Sequence, residues 1–431
     1  MKPIKIKIFK LGMIQDSTVI ELNRFMIFSG ESGLGKSYLS IICHYIFSVL
    51  LDNNRISGFF NSLGYFNLED SKPGLSIGPV TLRITKGEFE NWLSKDAITW
   101  LGYMIGNADI DGKIEIRLPD NIPDIIEFKL TEEMVGLGDN VETYVNMALP
   151  GLSYKVKDSI GIEEESPFAF LFRFYLVQQI FGGINELKSS FIFPPSRGMM
   201  LTELVTPITG MYMEFKKDLQ QMVMAKPEKV QPPKKLKSLI QDILEGHVNY
   251  KDGRYFYSTN GTEIPLSAGA ASIRELASLE FMINNTDISK SSIMIDEPEA
   301  HLHPLKQRMM ADILTCLVEA GAFVQVTTHS DYFLRRINEL VLKFKILKKF
   351  ESQGDPSGYY RICDEMKENP EIMVNPENIS AYLLKRTDSN SSMIIKQNMD
   401  KGVPFASFHE ALELNLKKKF ELENILNDEG D

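Results

Sequence analysis

Apolar positions divide the chain into elements before any residue chemistry is considered. In IKIKIF (residues 4–9) and STVIELN (17–23) they alternate with a period of two, which predicts a hairpin leading into the short apolar strand FMIFSG (25–30). KSYLSIICHYIFSVL (36–50) is then apolar at helical spacing, so the glycine-containing stretch between strand and helix is a strand-to-helix loop. Residues 52–188 are mixed: GPVTLRIT, KIEIRLP and IIEFKL read as strands, GEFENWLSKDAITWLGYMIG and SPFAFLFRFYLVQQIFGG as helices. Beyond them come a strand at SSFIFPPSRG (189–198), a long helix over 201–224, and an exposed, proline- and lysine-rich linker, AKPEKVQPPKK. An Asn-Gly pair in GHVNYKDGRYFYSTNGTEIPLS predicts a hairpin.

From residue 271 helix and strand alternate: a helix at 271–285, the strand SIMIDEP, a helix at 304–321, the strand FVQVTTHS and a helix at 331–347. Such alternation predicts a parallel sheet covered by helices. The tail, 348–431, ends in a charged amphipathic helix, FASFHEALELNLKKKFELENIL. The fold class expected is α/β with a parallel or mixed sheet, an α+β insertion and a small C-terminal segment. The expected division is an N-terminal lobe of the head (1–51), the insertion (52–188), a C-terminal lobe (189–347) and the C-terminal segment (348–431).

Composition narrows the class. The chain has 431 residues and a formal charge of -11, so nucleic acid would need a locally basic face. Three cysteines, Cys43, Cys316 and Cys363, stand far apart and outside any CxxC spacing, which argues against a disulfide framework or a zinc site and for a reducing cytoplasm. No apolar run approaches the roughly 18 residues of a membrane span, and the N-terminus alternates where a signal peptide would be continuously apolar. A cytoplasmic protein without membrane partners is expected.

GESGLGKS (30–37) supplies the chemistry. Gly30, Glu31, Ser32, Gly33, Leu34, Gly35, Lys36 and Ser37 fit G-x-x-x-x-G-K-[ST], in which backbone N–H groups and a helix N-terminus surround phosphate oxygens. Lys36 would reach the β- and γ-phosphates, and the Ser37 hydroxyl would bind magnesium. Asp296 ends an apolar strand in IMIDEPEAHLHP and is a second magnesium candidate; Glu297 follows it, placed to polarise an attacking water. His301 and His303, two apart, lack zinc-helix spacing and read as a structural turn. His329 ends the next strand and is a candidate contact to the γ-phosphate.

In this order GESGLGKS, IMIDEPEAHLHP and VTTHSDYFLRRINEL resemble the ABC-type P-loop ATPases of the SMC and OLD-like group, over residues 1–50 and 190–345. The resemblance implies an ABC-type ATPase head using ATP and Mg2+, with Lys36 and Ser37 in Walker A, Asp296 and Glu297 in Walker B and His329 as switch histidine. It also implies a signature loop that caps nucleotide on a second protomer. LSAGAASIREL holds that place but departs from LSGGQ, leaving Ser267 with Gly269, or Ser272, as alternatives; the bland reading is a serine N-cap. Gln178 or Gln179 would be the metal-sensing glutamine, and Arg197 resembles an arginine recurring in the OLD-like branch.

A transporter subunit would carry its signature much sooner after Walker A, an SMC arm would show sustained heptads, and an OLD nuclease would add a carboxylate-rich Toprim domain. None of these patterns is present in the sequence. The TTHSDY pattern resembles stand-alone ATPases of bacterial anti-phage systems such as the PARIS type. That implies a homo-oligomer with ATP at protomer interfaces, a separate effector such as a nuclease or toxin, and a phage protein as trigger. The competing expectation is a DNA-tethered maintenance ATPase contacting DNA through Lys226, Lys229, Lys234, Lys235 and Lys237.

Overall fold

The computed structural model describes residues 1–15, 18–63, 80–135, 142–157, 167–202, 206–224, 233–387, 391–400, 402–403 and 406–428. The chain opens with β1 (Lys5–Leu11), β2 (Val19–Glu21), β3 (Phe25–Gly30), α1 (Lys36–Val49) and α2 (Asn53–Ser62). Next come β4 (Val80–Thr85), α3 (Lys86–Ile105), β5 (Gly112–Arg117), β6 (Ile125–Val135), β7 (Glu142–Leu149), β8 (Leu152–Lys157) and α4 (Pro167–Phe181). β9 (Ser189–Phe193), α5 (Met199–Thr202), α6 (Gly210–Met224) and α7 (Lys234–Leu244) lead to β10 (His247–Lys251), β11 (Arg254–Thr259) and β12 (Thr262–Pro265). The chain continues through α8 (Ala271–Asn285), β13 (Ser291–Asp296), α9 (Pro304–Glu319), β14 (Phe323–Thr328) and α10 (Asp331–Ser352). It finishes with α11 (Pro356–Glu365), β15 (Ile379–Arg386), β16 (Ser392–Lys396) and α12 (Ala406–Asp428).

The main sheet has the order β16-β15-β3-β14-β13-β9, with every neighbouring pair parallel except the antiparallel edge β15–β16. Helices cover it on both faces, so β13 and β14 are buried at every residue and read as continuous runs rather than alternations. In a parallel sheet all five strands end on one edge, and the loops after β3, β13 and β14 meet there. That convergence builds the site.

The N-terminal hairpin forms as expected, β1 pairing β2, but β1 also pairs β5 from within residues 52–188, Ile6 opposite Ile116. The segment is therefore no detached insertion. Its α3 starts with a capping box, Thr85 Oγ1 accepting from Glu88 N at 3.1 Å and the Glu88 carboxylate from Thr85 N at 2.8 Å. Among the described residues of 52–188, β4, β6, β7 and β8 form an antiparallel sheet of their own. It packs through Phe128 on Phe60, Phe168 and Phe172, and Phe172 in turn meets Phe89 of α3 at 4.9 Å.

Three other expectations change. The helix predicted over 201–224 is interrupted: residues 206–209 before α6 are not helical, and Pro207 lacks the N–H that would continue a ladder there. The predicted hairpin is a three-stranded meander turning at Asp252-Gly253 as well as at Asn260-Gly261; all four residues have positive φ, as type I′ turns demand. The tail is not a separate segment: β15 lies beside β3 at the centre of the sheet, Leu384 opposite Gly30. Of the expected linker lysines, Lys234, Lys235 and Lys237 lie on α7 and Lys235 is 3.6 Å from Glu371, whereas Lys226 and Lys229 fall outside the described residues. Among the described residues no helix is long and apolar enough to cross a membrane.

Candidate functional site

The loop 31–35 joins β3, flanked by β14 and β15, to the N-terminus of α1. Gly30, Gly33 and Gly35 all have positive φ (131°, 76° and 95°). At Gly30 glycine is also required by space, since a Cβ would lie 2.3 Å from the Leu384 carbonyl oxygen; at Gly33 the same atom would meet nothing within 4 Å. Gly35 is the N-cap of α1 and brings no side-chain cap, so the first amides of the helix are left for an outside acceptor. The tail steadies the loop: Ser392 Oγ donates to the Leu34 carbonyl at 2.8 Å.

Lys36 is 5% exposed, and its Nζ donates to the Glu31 carbonyl at 2.7 Å. Burial lowers its pKa to about 8, against the raising influence of Glu297, Asp296 and Glu299. This buried ammonium hydrogen-bonds a neutral carbonyl, and an anion would satisfy it better.

Asp296 ends β13 and is buried. Ser37 Oγ donates to its Oδ1 at 3.1 Å, and Thr327 Oγ1 of β14 donates to the same oxygen. Burial raises the Asp296 pKa, opposed by these two hydroxyls. The next residue, Glu297, takes a left-handed φ of 50°, with its N–H on Thr327 Oγ1 at 3.2 Å. That twist carries its carboxylate out of the sheet, where it is 43% exposed and 3.3 Å from His329 Nε2. The hydrogen bond from His329 holds the Glu297 carboxyl below its ordinary pKa. His329 also lies 3.4 Å from Ser32 Oγ, so Glu297, His329 and Ser32 form a chain beside the phosphate loop.

Sequence reasoning missed Glu299. Its Oε1 accepts from Thr328 Oγ1 (2.7 Å), His329 N (2.6 Å) and Ser330 N (3.1 Å), which fixes the turn from β14 into α10 and thereby the backbone of His329. Burial raises its pKa. The available signal was a second acid two residues after Glu297, which the run of acidic residues disguised. His303 caps α9 by accepting from Leu305 N at 3.4 Å, and His301 occupies the preceding turn at φ 62°. The described residues contain no group of three or more His, Cys, Asp or Glu side chains fit to hold a metal ion.

Two sequence assignments are corrected. Gln178 and Gln179 lie on the last turns of α4, whose Phe181 packs on Phe47 at the end of α1 and on Phe323 at the start of β14. That is the edge where the strands begin, opposite the phosphate loop. Gln178 adjoins Gly151 and Gln179 is held by Asn121, so the pair cannot ligate a metal at Asp296. Gln178→Ala is accordingly expected to leave ATP turnover within about twofold of wild type, measured by phosphate release. Arg197, at 1% exposure, does not point to nucleotide; it donates to the carbonyls of Glu275 (2.9 Å), Pro194 (3.4 Å) and Asp296 (3.5 Å), tying α8 and β9 to the end of β13.

The N-terminus of α8 remains free. Its N-cap is Ala270, with no side-chain cap, so neither Ser267 nor Ser272 caps the helix. Ser267 is exposed in a 3-10 turn (Leu266–Ala268), Gly269 follows it, and Ser272 is half-buried. Arg197, which donates to the Glu275 carbonyl of α8, also reaches the Asp296 carbonyl, so α8 is tied to the sheet edge that carries the site.

The parallel strand, the glycine loop after it and the uncapped helix N-terminus behind the loop have the form of a phosphate-binding loop. Residues 198–334 match the family model described as AAA ATPase domain, a span holding the α8 end, Asp296, Glu297 and His329 but not the phosphate loop. No curated protein matches the chain. Solved structures that align with it include an SMC head bound to the C-winged helix domain of ScpA, 10% identical over 93% of this chain and 98% of that one, with a TM-score of 0.39. The SMC head domain from Thermotoga maritima is 10% identical over 93% and 100%, with a TM-score of 0.33. An SMC head with an extended coiled coil, bound to the C-terminal domain of ScpA from Pyrococcus furiosus, is 8% identical over 96% and 100%, with a TM-score of 0.36.

Proposed function

We propose that the chain binds ATP on residues 30–37 and hydrolyses it with Glu297 as general base, and that binding drives assembly of two or more copies. The observation that carries this reading is the meeting of Lys36, Ser37, Asp296 and Glu297 on one sheet edge, with a carboxylate exposed to take a proton from water. Ser37 Oγ and Asp296 Oδ1, 3.1 Å apart beside the Lys36 ammonium, suit a hard oxygen-ligated cation. They would hold Mg2+, which when bound offsets phosphate charge. Lys36 would release the Glu31 carbonyl to bind phosphate, the loop amides would orient it, and Glu297, kept ionised by His329, would accept the proton of water.

The uncapped N-terminus of α8 supports assembly. It shares the site's edge and offers uncapped amides to an anion, and in the assembly proposed here that anion belongs to the nucleotide of a second copy. Ser267→Arg is expected to keep ATP binding by a single copy and to abolish ATP-dependent assembly in light scattering. Unchanged assembly would move the contact to Ser272 or remove it.

Control of a separate effector, a nuclease or toxin, in anti-phage defence is the output we favour, and it rests on the resemblance of the TTHSDY pattern. Turnover of wild type and Glu297→Gln with and without double-stranded DNA, at near-physiological salt, tests it. Slow turnover indifferent to DNA fits a restrained scaffold; strong stimulation by DNA replaces that output with DNA maintenance and directs attention to the lysines of α7.

A further inference from the structure

Away from the phosphate loop, a cavity of about 520 Å³ opens between α7, β10 and the C-terminal half of α8. Its chemistry is unusual for a packing defect. Glu280, 2% exposed, lines it from α8 and accepts from Val248 N at 2.7 Å through one carboxylate oxygen. One helical turn further on, Asn284 also faces the cavity, and its side-chain oxygen is buried with no hydrogen-bond partner. Side chains four apart on a helix stand about 6 Å from each other, so these are two acceptors on one wall. Tyr250 supplies an aromatic wall, backed by Tyr255 at 4.8 Å, and Lys237 and His247 stand exposed at the rim.

A buried acid and an orphaned carbonyl ask for a donor. Among the described residues no ion pair joins Glu280 to a cation, and burial raises its carboxyl to about 7, opposed by the Val248 amide and by the distant charge of Lys237. A metal ion would want more oxygen or nitrogen ligands than these two. A guanidinium group fits better: planar, rich in N–H groups, able to bridge two acceptors and to lie against a tyrosine ring. The rim cations then suit a carboxylate at the other end of the same molecule.

We propose that this cavity binds arginine, either free or as the C-terminal residue of a peptide, with Glu280 and Asn284 receiving the guanidinium and Lys237 and His247 the carboxylate. The site is separate from the nucleotide loop, and the proposal does not depend on hydrolysis.

Isothermal titration of the full chain with L-arginine, citrulline, agmatine and a tripeptide ending in arginine tests it. Saturable one-to-one binding of L-arginine is expected, weaker for agmatine, which lacks the carboxylate, and absent for the neutral isostere citrulline. Glu280→Gln keeps an oxygen for Val248 N and should weaken binding at least tenfold, with unchanged thermal unfolding reporting an intact fold. Asn284→Ala should weaken it severalfold and carries the test alone if the first variant does not fold. Whichever of free arginine and tripeptide binds tighter identifies the source. No saturation by either up to ~10 mM, or equal affinity in Glu280→Gln, overturns the proposal.

Discussion

Lys36→Ala is expected to lower the affinity for ATP by about 10²–10⁴-fold while leaving the fold intact. The side chain would supply two charge-assisted hydrogen bonds to phosphate, each worth about 1.5–3 kcal/mol. Its partner without nucleotide is a single backbone carbonyl, so truncation removes little from the free protein. Titration with a fluorescent ATP analogue checks the affinity and circular dichroism the fold; binding within threefold of wild type would sink the nucleotide site. A pH dependence accompanies it. Burial lowers the pKa of Lys36 to about 8 in the free protein, and phosphate binds the protonated form, so bound nucleotide raises that value. Affinity should therefore be flat below pH 7 and fall as pH rises through 8, by up to about tenfold per unit, with proton uptake on binding. Lys36→Arg, which stays charged, should lose that slope.

Glu297→Gln should bind ATP within about threefold of wild type and hydrolyse it about 10²–10⁴-fold more slowly. The amide keeps the shape and still accepts from His329, 3.3 Å away, so the loop and Asp296 are undisturbed. What is lost is a base, here held ionised by that histidine and open to water. Single-turnover phosphate release separates chemistry from binding. Retained turnover would remove Glu297 from the base role. In the same variant ATP should trap the assembled form, and a chain that stays monomeric at saturating ATP would contradict sites shared between copies.

The glycine loop and its acidic partners were legible because their parts are local. Glycines, a lysine and a serine at fixed spacing announce the loop, and the short runs Ile293–Ile295 before Asp296 and Phe323–Val326 in the strand before His329 announce a buried parallel sheet. What escaped were relations between distant segments. β15 and β16 are short runs in a tail dominated by charge, and nothing local indicates that Ile379–Arg386 belongs beside Phe25–Gly30. β5 likewise finds β1 across a long separation. Gln178 had a plausible residue type but the wrong sheet edge, which only the packing of Phe181 on Phe323 reveals. Arg197 had the right edge, yet its guanidinium turns inward to carbonyls.

The position of β15 also sets a timetable. Ser392 and the phosphate-loop carbonyl it holds are 358 residues apart, an interval of roughly 20–70 s at ordinary rates of protein synthesis. Until it has elapsed, the strand that ends in the glycine loop lacks its neighbour on one side, and the loop lacks the backbone against which Gly30 is fitted. A prematurely terminated chain would carry the complete glycine motif and lack both the strand beside Phe25–Gly30 and the hydroxyl that holds the Leu34 carbonyl.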